Sequence, residues 1–468
     1  MTNIEPDDAP PPYRDRIAVR PGDPPIAYRP GRVLVDEAVL NELIETGAIA
    51  TDRERVEPIF VAIDDDGNPT GELPMDEELP VGQWYRVDGL ADAPAFVEEH
   101  ATPERAVQLD LVYFANDADC CGCPPHPALA AEIAAHPWSA NPWRANPWRA
   151  NPWRANPWRA NAEALNVLAT GKAPTSSVMP APMRALPLRP AHPPGQPANG
   201  VVIGVLDSGL AGGQDNAGND RPALLGTTPN DLLRISGRRD VPSSPIGGLP
   251  ADNFLDPVAG HGTFIAGIIE QLTPGCTIRV ERVFEPEGDV STSELALRLL
   301  YLMATVNPSI VNFSFGGTGS DPFFENLITA YRAFEVVFVA AAGNEGSCVE
   351  QYPAAMPSVI GVAGLGPTGP AEWSNYGPWV DACAPGTDLV SSFFARFDGG
   401  LPRINGFDAD DFREWATWSG TSFAAPVVVA ALAREMVTTG CTAVEAVGRV
   451  VRAPHLARLP HMGTVVNF

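Results

Sequence analysis

The rhythm of apolar and polar positions divides the chain into a front part, a long interruption and a rear part. In the front part, Arg32-Val33-Leu34-Val35 predicts a strand, and Asp36–Gly47 (apolar at Val39, Leu40 and Leu43) predicts a short helix. Pro58–Ile63 and Gln83–Val87 predict two more strands, Pro94–His100 a second helix, and Val107–Phe114 a final strand. That order, strand–helix–strand–strand–helix–strand, suggests a small α+β ferredoxin-like unit. In the rear part, apolar runs at Val201–Leu206, Thr277–Phe284, Ser309–Phe315, Val336–Ala342 and Val359–Ala363 predict strands. Gly262–Gln271, Thr292–Thr305, Phe323–Phe334, Thr421–Val437 and Ala443–Val451 predict helices between and after them. Apolar strands alternating with helices predict an α/β unit, a mostly parallel sheet flanked by helices.

The interruption has no such rhythm. Ala140-Asn141-Pro142-Trp143-Arg144 recurs in tandem to Arg159, and a Pro-rich stretch follows through Ala173–Gly200. Proline at every fifth position forbids a continuous helix and favours turns or an extended path. The repeat reads as a low-complexity spacer, with a Trp/Arg docking strip as the alternative. Residues 1–28, rich in proline and charge, read as a disordered tail. The expected division is therefore a tail at 1–28, an α+β domain at 29–135, a linker at 136–198 and an α/β domain at 199–468.

Charge narrows the partners. The 31 basic and 57 acidic side chains leave a net charge of −26, which disfavours nucleic acid and anionic membrane surfaces as partners. Residues 1–135 carry 28 acidic and 9 basic side chains, so the excess is concentrated in the front part. The apolar run Ala424–Leu432 is shorter than a membrane span and reads as a buried helix. Met1–Asp8 lacks the basic start and apolar run of a secretory signal, and the seven cysteines are an odd number. Cys276, Cys348, Cys383 and Cys441 are scattered in apolar contexts, which suits buried free thiols. These features lead to the expectation of a cytoplasmic protein.

Three short motifs carry the chemistry. Asp207 ends an apolar strand and is followed by Ser208-Gly209, where an open α/β sheet collects its reactive groups. His261 lies between Gly260 and Gly262 at the start of a helix, and flanking glycines imply close backbone approach. Ser422, in Gly420-Thr421-Ser422-Phe423, opens an apolar helix whose dipole favours developing negative charge. Each residue alone has an ordinary structural reading, such as a turn or a helix cap. Together, in the order Asp…His…Ser, the three motifs are far more specific than any one alone.

With Asn312–Gly317, Ala341–Asn344 and Ser374–Gly377 in sequence order, the rear part resembles the subtilisin-like serine proteases. The resemblance implies a serine endopeptidase acting through an Asp207–His261–Ser422 triad and an acyl-enzyme. It assigns the oxyanion hole to the Asn344 side chain with the Ser422 backbone N–H. It assigns substrate binding to Ser314, Phe315 and Gly316 and to Ala342 and Gly343, uncharged walls that suggest an apolar preference next to the scissile bond. Protein or peptide substrates are the implied partners, and the front domain is the implied intramolecular inhibitor, as a propeptide would be. No cofactor is required, no metal takes part in catalysis, and a structural calcium ion is allowed, with Asp215–Asp220 the acidic loop that would hold it. The linker departs from the family's usual short junction, and Leu210–Ala259 and Thr387–Trp418 are long for it. The alternative is a non-catalytic peptide-binding or scaffold protein on the same fold. Cys120-Cys121-Gly122-Cys123 with His126 reads as a surface loop, with a zinc or redox site as the alternative.

Overall fold

The computed structural model describes residues 17–22, 24–50, 54–60, 82–102, 105–115, 179–180, 200–213, 221–240, 242, 255–256, 258–285, 288–398 and 411–467. The tandem repeat, the Cys120–Cys123 cluster and Asp215–Asp220 lie outside them.

The front unit is an antiparallel sheet with two helices on one face. Its elements are β1 (Ala18–Arg20), β2 (Ile26–Asp36), α1 (Glu37–Glu45), β3 (Arg55–Pro58), β4 (Trp84–Asp88), α2 (Ala93–His100) and β5 (Val107–Ala115). From β2 onward this is the expected order, element for element. Strand pairing nevertheless begins ahead of Tyr28: Ala18 pairs with Tyr28 and Arg20 with Ile26. Three residues ahead of a proline have too little periodicity to be legible alone, and only the β2 edge makes them a strand. The Asp36 carboxylate starts α1 by accepting from the Val39 N–H at 2.8 Å, which turns Val39, Leu40 and Leu43 onto the sheet.

Within the stretch read as linker, β6 (Met179–Pro180) pairs with Trp415–Trp418 of the rear unit, which itself opens with β7 (Val202–Asp207), then α3 (Pro229–Arg234), β8 (Ile235–Gly237) and α4 (His261–Leu272). There follow β9 (Thr277–Arg282), β10 (Asp289–Ser291), α5 (Thr292–Val306), β11 (Ile310–Phe313), β12 (Phe315–Gly316) and α6 (Pro322–Arg332). β13 (Val337–Ala341), β14 (Val359–Gly366), β15 (Gly369–Pro370), β16 (Ala382–Pro385), β17 (Leu389–Ser392), β18 (Phe397–Asp398), β19 (Asp411–Phe412) and β20 (Trp415–Trp418) come next. The chain closes with α7 (Thr421–Thr439), α8 (Ala443–Val450), β21 (Arg458–Leu459) and β22 (Gly463–Val465). The main sheet runs β21-β22-β16-β14-β13-β11-β7-β9-β8, parallel from β22 to β8. Its central strands are buried on both faces, as a parallel sheet sandwiched by helices requires. α7 is 19 residues long and apolar enough to cross a membrane by length and composition, and it lies in the core, packed against α4 and the sheet.

One expected strand is divided. Ser309–Phe315 reads as a single apolar run, yet β11 belongs to the rear sheet while β12 leaves it to pair with β5 of the front unit. β10 pairs with β5 as well, so the end of β5 lies between two rear strands. Below it, Trp84 lies tilted against Phe323 at 4.5 Å between ring centroids, and Phe60 approaches the same ring at 6.0 Å. Asp110 of β5 accepts from the Ser293 N–H and hydroxyl, both at 3.0 Å, at the first turn of α5. Arg29 forms a buried ion pair with Asp289 at 2.7 Å.

Candidate active site

β7 delivers Asp207 to the carboxyl edge of the sheet, fully buried. Its Oδ1 accepts from the Ser208 N–H at 2.8 Å and lies 2.7 Å from His261 Nδ1. This contact fixes the imidazole orientation and leaves Nε2 as the nitrogen able to accept a proton. The glycines around His261 prove to be packing requirements. Gly260 has φ of 80°, and a Cβ there would meet the Phe393 ring at 2.1 Å. A Cβ on Gly262 would stand 2.4 Å from the Gly209 carbonyl oxygen. The imidazole is held laterally by Trp418, edge-on at 5.3 Å, and by Phe423 at 5.1 Å.

Ser422 stands in the first turn of α7, two per cent exposed. Pro426, four residues on, has no N–H to give the Ser422 carbonyl, so that acceptor needs another donor. Ser314 supplies it, its hydroxyl donating at 2.8 Å, while the Ser422 hydroxyl donates to the Ser314 carbonyl at 3.3 Å. The nucleophile candidate is thus cross-tied to the residue that precedes β12. Asn344 follows β13, and its Oδ1 accepts from both the N–H and the hydroxyl of Thr421 at 2.9 Å. That pairing leaves the amide NH2 as the donor end of the side chain. The Thr421 hydroxyl in turn accepts from the Gly343 N–H at 3.0 Å.

The structure therefore brings Asp207, His261, Ser422 and Asn344 into one place from four distant segments. Of the expected substrate walls, Phe315 and Gly316 are engaged by β5, with Ser314 beside them, whereas Ala342 continues the sheet by donating to Val362 at 2.9 Å. Gly343 has φ of 104°, and a Cβ there would stand 2.3 Å from Asn375 Nδ2. Asn375 organises this wall: it donates to the Ala342 carbonyl and Glu345 carboxylate and accepts from the Glu345 and Ser347 N–H groups.

One buried group escapes sequence reading. Asp240, within the stretch read as a long insertion, accepts from Ser208 Oγ at 2.9 Å and from the Gly260 N–H at 2.7 Å. Ser208 Oγ accepts in turn from the Gly262 N–H at 3.0 Å. Asp240 so ties the Asp207 strand to the His261 helix from behind. Burial pushes its carboxyl up to about 7, opposed by those two hydrogen bonds and by Arg282. No motif or spacing marks it, because its role exists only once β8 runs beside β9.

Among the described residues no group of three or more His, Cys, Asp or Glu side chains is placed to hold a metal ion. Cys276, Cys383 and Cys441 are buried free thiols, but Cys348 is exposed, contrary to expectation. It sits in the loop after Asn344, its carbonyl accepting from Trp379 Nε1 at 3.2 Å.

The family model described as "Subtilase family" matches residues 198–439. A "Thermophilic serine proteinase" of Bacillus sp. strain AK1 is 32% identical over 207 residues, 42% of this chain and 47% of that protein. A "Thermostable alkaline protease" of Halalkalibacterium halodurans is 28% identical over 256 residues, 52% of this chain and 59% of that protein. The chain thus spans about half the length of these curated relatives. Among solved structures, a protease from Pseudoalteromonas arctica is 24% identical with a TM-score of 0.43, covering 57% of this chain and 88% of that one. The cytoplasmic expectation is corrected by these relationships, since further relatives from Xanthomonas campestris (28% identical over 274 residues, 52% of this chain and 45% of that protein) and Thermus sp. (30% over 180 residues, 37% and 40%) are named extracellular proteases. The absence of a leader pattern and of paired cysteines carried that expectation, and neither feature bears on where such relatives act. With its motifs in order and half its length matched, the chain belongs to the subtilase family.

Proposed function

We propose that this chain is a serine endopeptidase of protein or peptide substrates whose front unit keeps it latent. The observation that carries the reading is the 2.7 Å contact between Asp207 and His261 beside a serine at a helix N-terminus. Ser422 Oγ attacks the substrate carbonyl carbon and passes its proton to His261 Nε2. Asp207 keeps Nδ1 protonated and stabilises the imidazolium. The oxyanion forms between the Asn344 amide and the Ser422 N–H, where the α7 dipole adds positive potential. His261 then protonates the leaving amine, and water, deprotonated by the same imidazole, releases the acyl group. Asp240 acts as a positioning residue for this pair.

Latency is supported by β5, whose Phe114 and Ala115 pair with Gly316 and Phe315 where an extended substrate would lie. On this reading residues 29–135 form the inhibitory domain, 136–198 the linker and 199–468 the catalytic domain. Intact mass of the wild type beside Ser422→Ala tests it. Loss from the wild type alone of a fragment ending between residues 117 and 198 supports both catalysis and self-processing. If neither chain is shortened, fluorophosphonate labelling decides, and a Ser422 that never labels overturns the catalytic reading.

A further inference from the structure

β5 is held by the rear unit as a peptide would be. Its residues alternate: Val112 and Phe114 pack with Ala27 on the front side, whereas Tyr113 and Ala115 enter the rear core with Phe315 and Phe324. Its backbone is paired on both edges, Tyr113 opposite Val290 of β10 and Ala115 opposite Phe315 of β12. Backbone pairing of this kind is blind to sequence, so discrimination falls to the pockets that receive alternate side chains.

The Tyr113 pocket has an unusual base. The ring, one per cent exposed, meets Phe315 edge-on at 5.8 Å and Phe324 at 6.1 Å. Its hydroxyl donates to Asp321 Oδ2 at 2.8 Å. Asp321 is fully buried, and Oδ2 also accepts from the Thr292 hydroxyl at 2.6 Å. The other oxygen caps α6 through the Phe324 N–H at 3.0 Å and accepts from Gln108 Nε2 at 2.8 Å. Capping a helix needs a single acceptor, which serine would provide. The second oxygen therefore does something else: it turns the floor of an aromatic pocket into a charged acceptor for a phenol. Burial and the Asp321 charge hold the Tyr113 hydroxyl well above the usual phenol range, so it remains a donor. A phenylalanine in its place would leave the buried carboxylate short of one donor, the situation that makes hydroxyl-reading sites selective.

We infer that Asp321 makes this pocket a tyrosine-selecting subsite, so that the cleft between β10 and β12 prefers peptides reading tyrosine, any residue, then a small residue ahead of the scissile bond. Tyr113-Phe114-Ala115 is the chain's own copy of that pattern. The inference rests on the proteolytic reading above and adds a substrate class to it.

The test uses the full chain and two fluorogenic peptides that copy Leu111–Ala115, one with the tyrosine and one with phenylalanine in its place. With Ser422 labelling by fluorophosphonate as the control for activity, the wild type is expected to favour the tyrosine peptide about 10- to 100-fold in kcat/KM, as for a hydrogen bond to a buried charge. Asp321→Ser, which keeps the helix cap, should bring the ratio close to one, and Asp321→Asn should give an intermediate ratio. Equal kcat/KM for the two peptides on a labelling-competent wild type overturns the inference while leaving the proteolytic reading intact. If Ser422 never labels, the proteolytic reading fails by itself. The pocket is then judged by fluorescence polarisation of the same peptides on a Tyr113→Ala full chain, where equal Kd values overturn it and a tyrosine preference upholds it.

Discussion

The two sheets of this molecule use apolar residues in opposite ways. In the rear unit the parallel strands β7, β11 and β13 are covered on both sides by their own helices, and their core closes within the unit. In the front unit only one face closes on itself: Val33, Val35, Val87, Val107 and Leu109 pack against α1 and α2. The other face gives Leu34, Phe60, Trp84, Tyr113 and Ala115 to the rear unit's second cluster. The front sheet is thus complete only against the rear one, whereas the proposed chemistry draws on residues of the rear unit alone. A unit whose best apolar side chains lie in its partner's core is suited to stay docked, and its departure would uncover β12.

Four experiments break or sharpen that contrast. Removing the proposed nucleophile by Ser422→Ala should lower kcat on the order of 10⁶-fold, a magnitude that comes from subtilisin itself, while thermal unfolding still reports a docked front unit. Trp84→Ala leaves the chemistry and attacks the docking. It empties a site against Phe323 and should cost about 3–5 kcal/mol, read as faster proteolytic removal of the front unit. Asn344→Ala should raise the barrier by about 3 kcal/mol, again a figure derived from subtilisin, with little change in docking.

The smallest effect concerns pH. Asp110, buried under α5, has its carboxyl pushed up to about 6 by desolvation and by Glu294, against the hydrogen bonds from Ser293 and the charge of Arg32. The docked state therefore holds this proton more tightly than the free front unit, where the carboxyl returns toward the ordinary aspartate value of 3.8. Its contribution to docking is fully present below that value and is lost as pH rises through about 6. Release of the front unit should accordingly quicken between about pH 4 and pH 6, and Asp110→Asn should flatten that rise.

Much of this was legible from residues alone, for a physical reason. Strand and helix periods are local, so the front order from β2 to β5 and the rear alternation could be read directly. The motifs around Asp207, His261, Ser422 and Asn344 each set a local backbone feature, a strand end or a helix start, that survives in sequence. The divided run at Ser309–Phe315 could not be read, because its apolar residues are identical in kind and only their pairing partners differ. β1, α3 and β8 are not legible because each holds fewer than two periods of its own pattern, three residues for the strands and six for the helix.

By itself, then, the sequence determined the two kinds of layer, their order and the identity of the residues gathered at the candidate site. Tertiary structure alone decided what those residues touch. The glycines flanking His261 answer to Phe393 and Gly209, Ser314 replaces the donor that Pro426 lacks, and Asp240 braces the site from a stretch without a motif. Asp321 receives Tyr113 across 208 positions of sequence. A hydrogen bond depends on angstroms in space, and such separations leave no periodic trace along the chain.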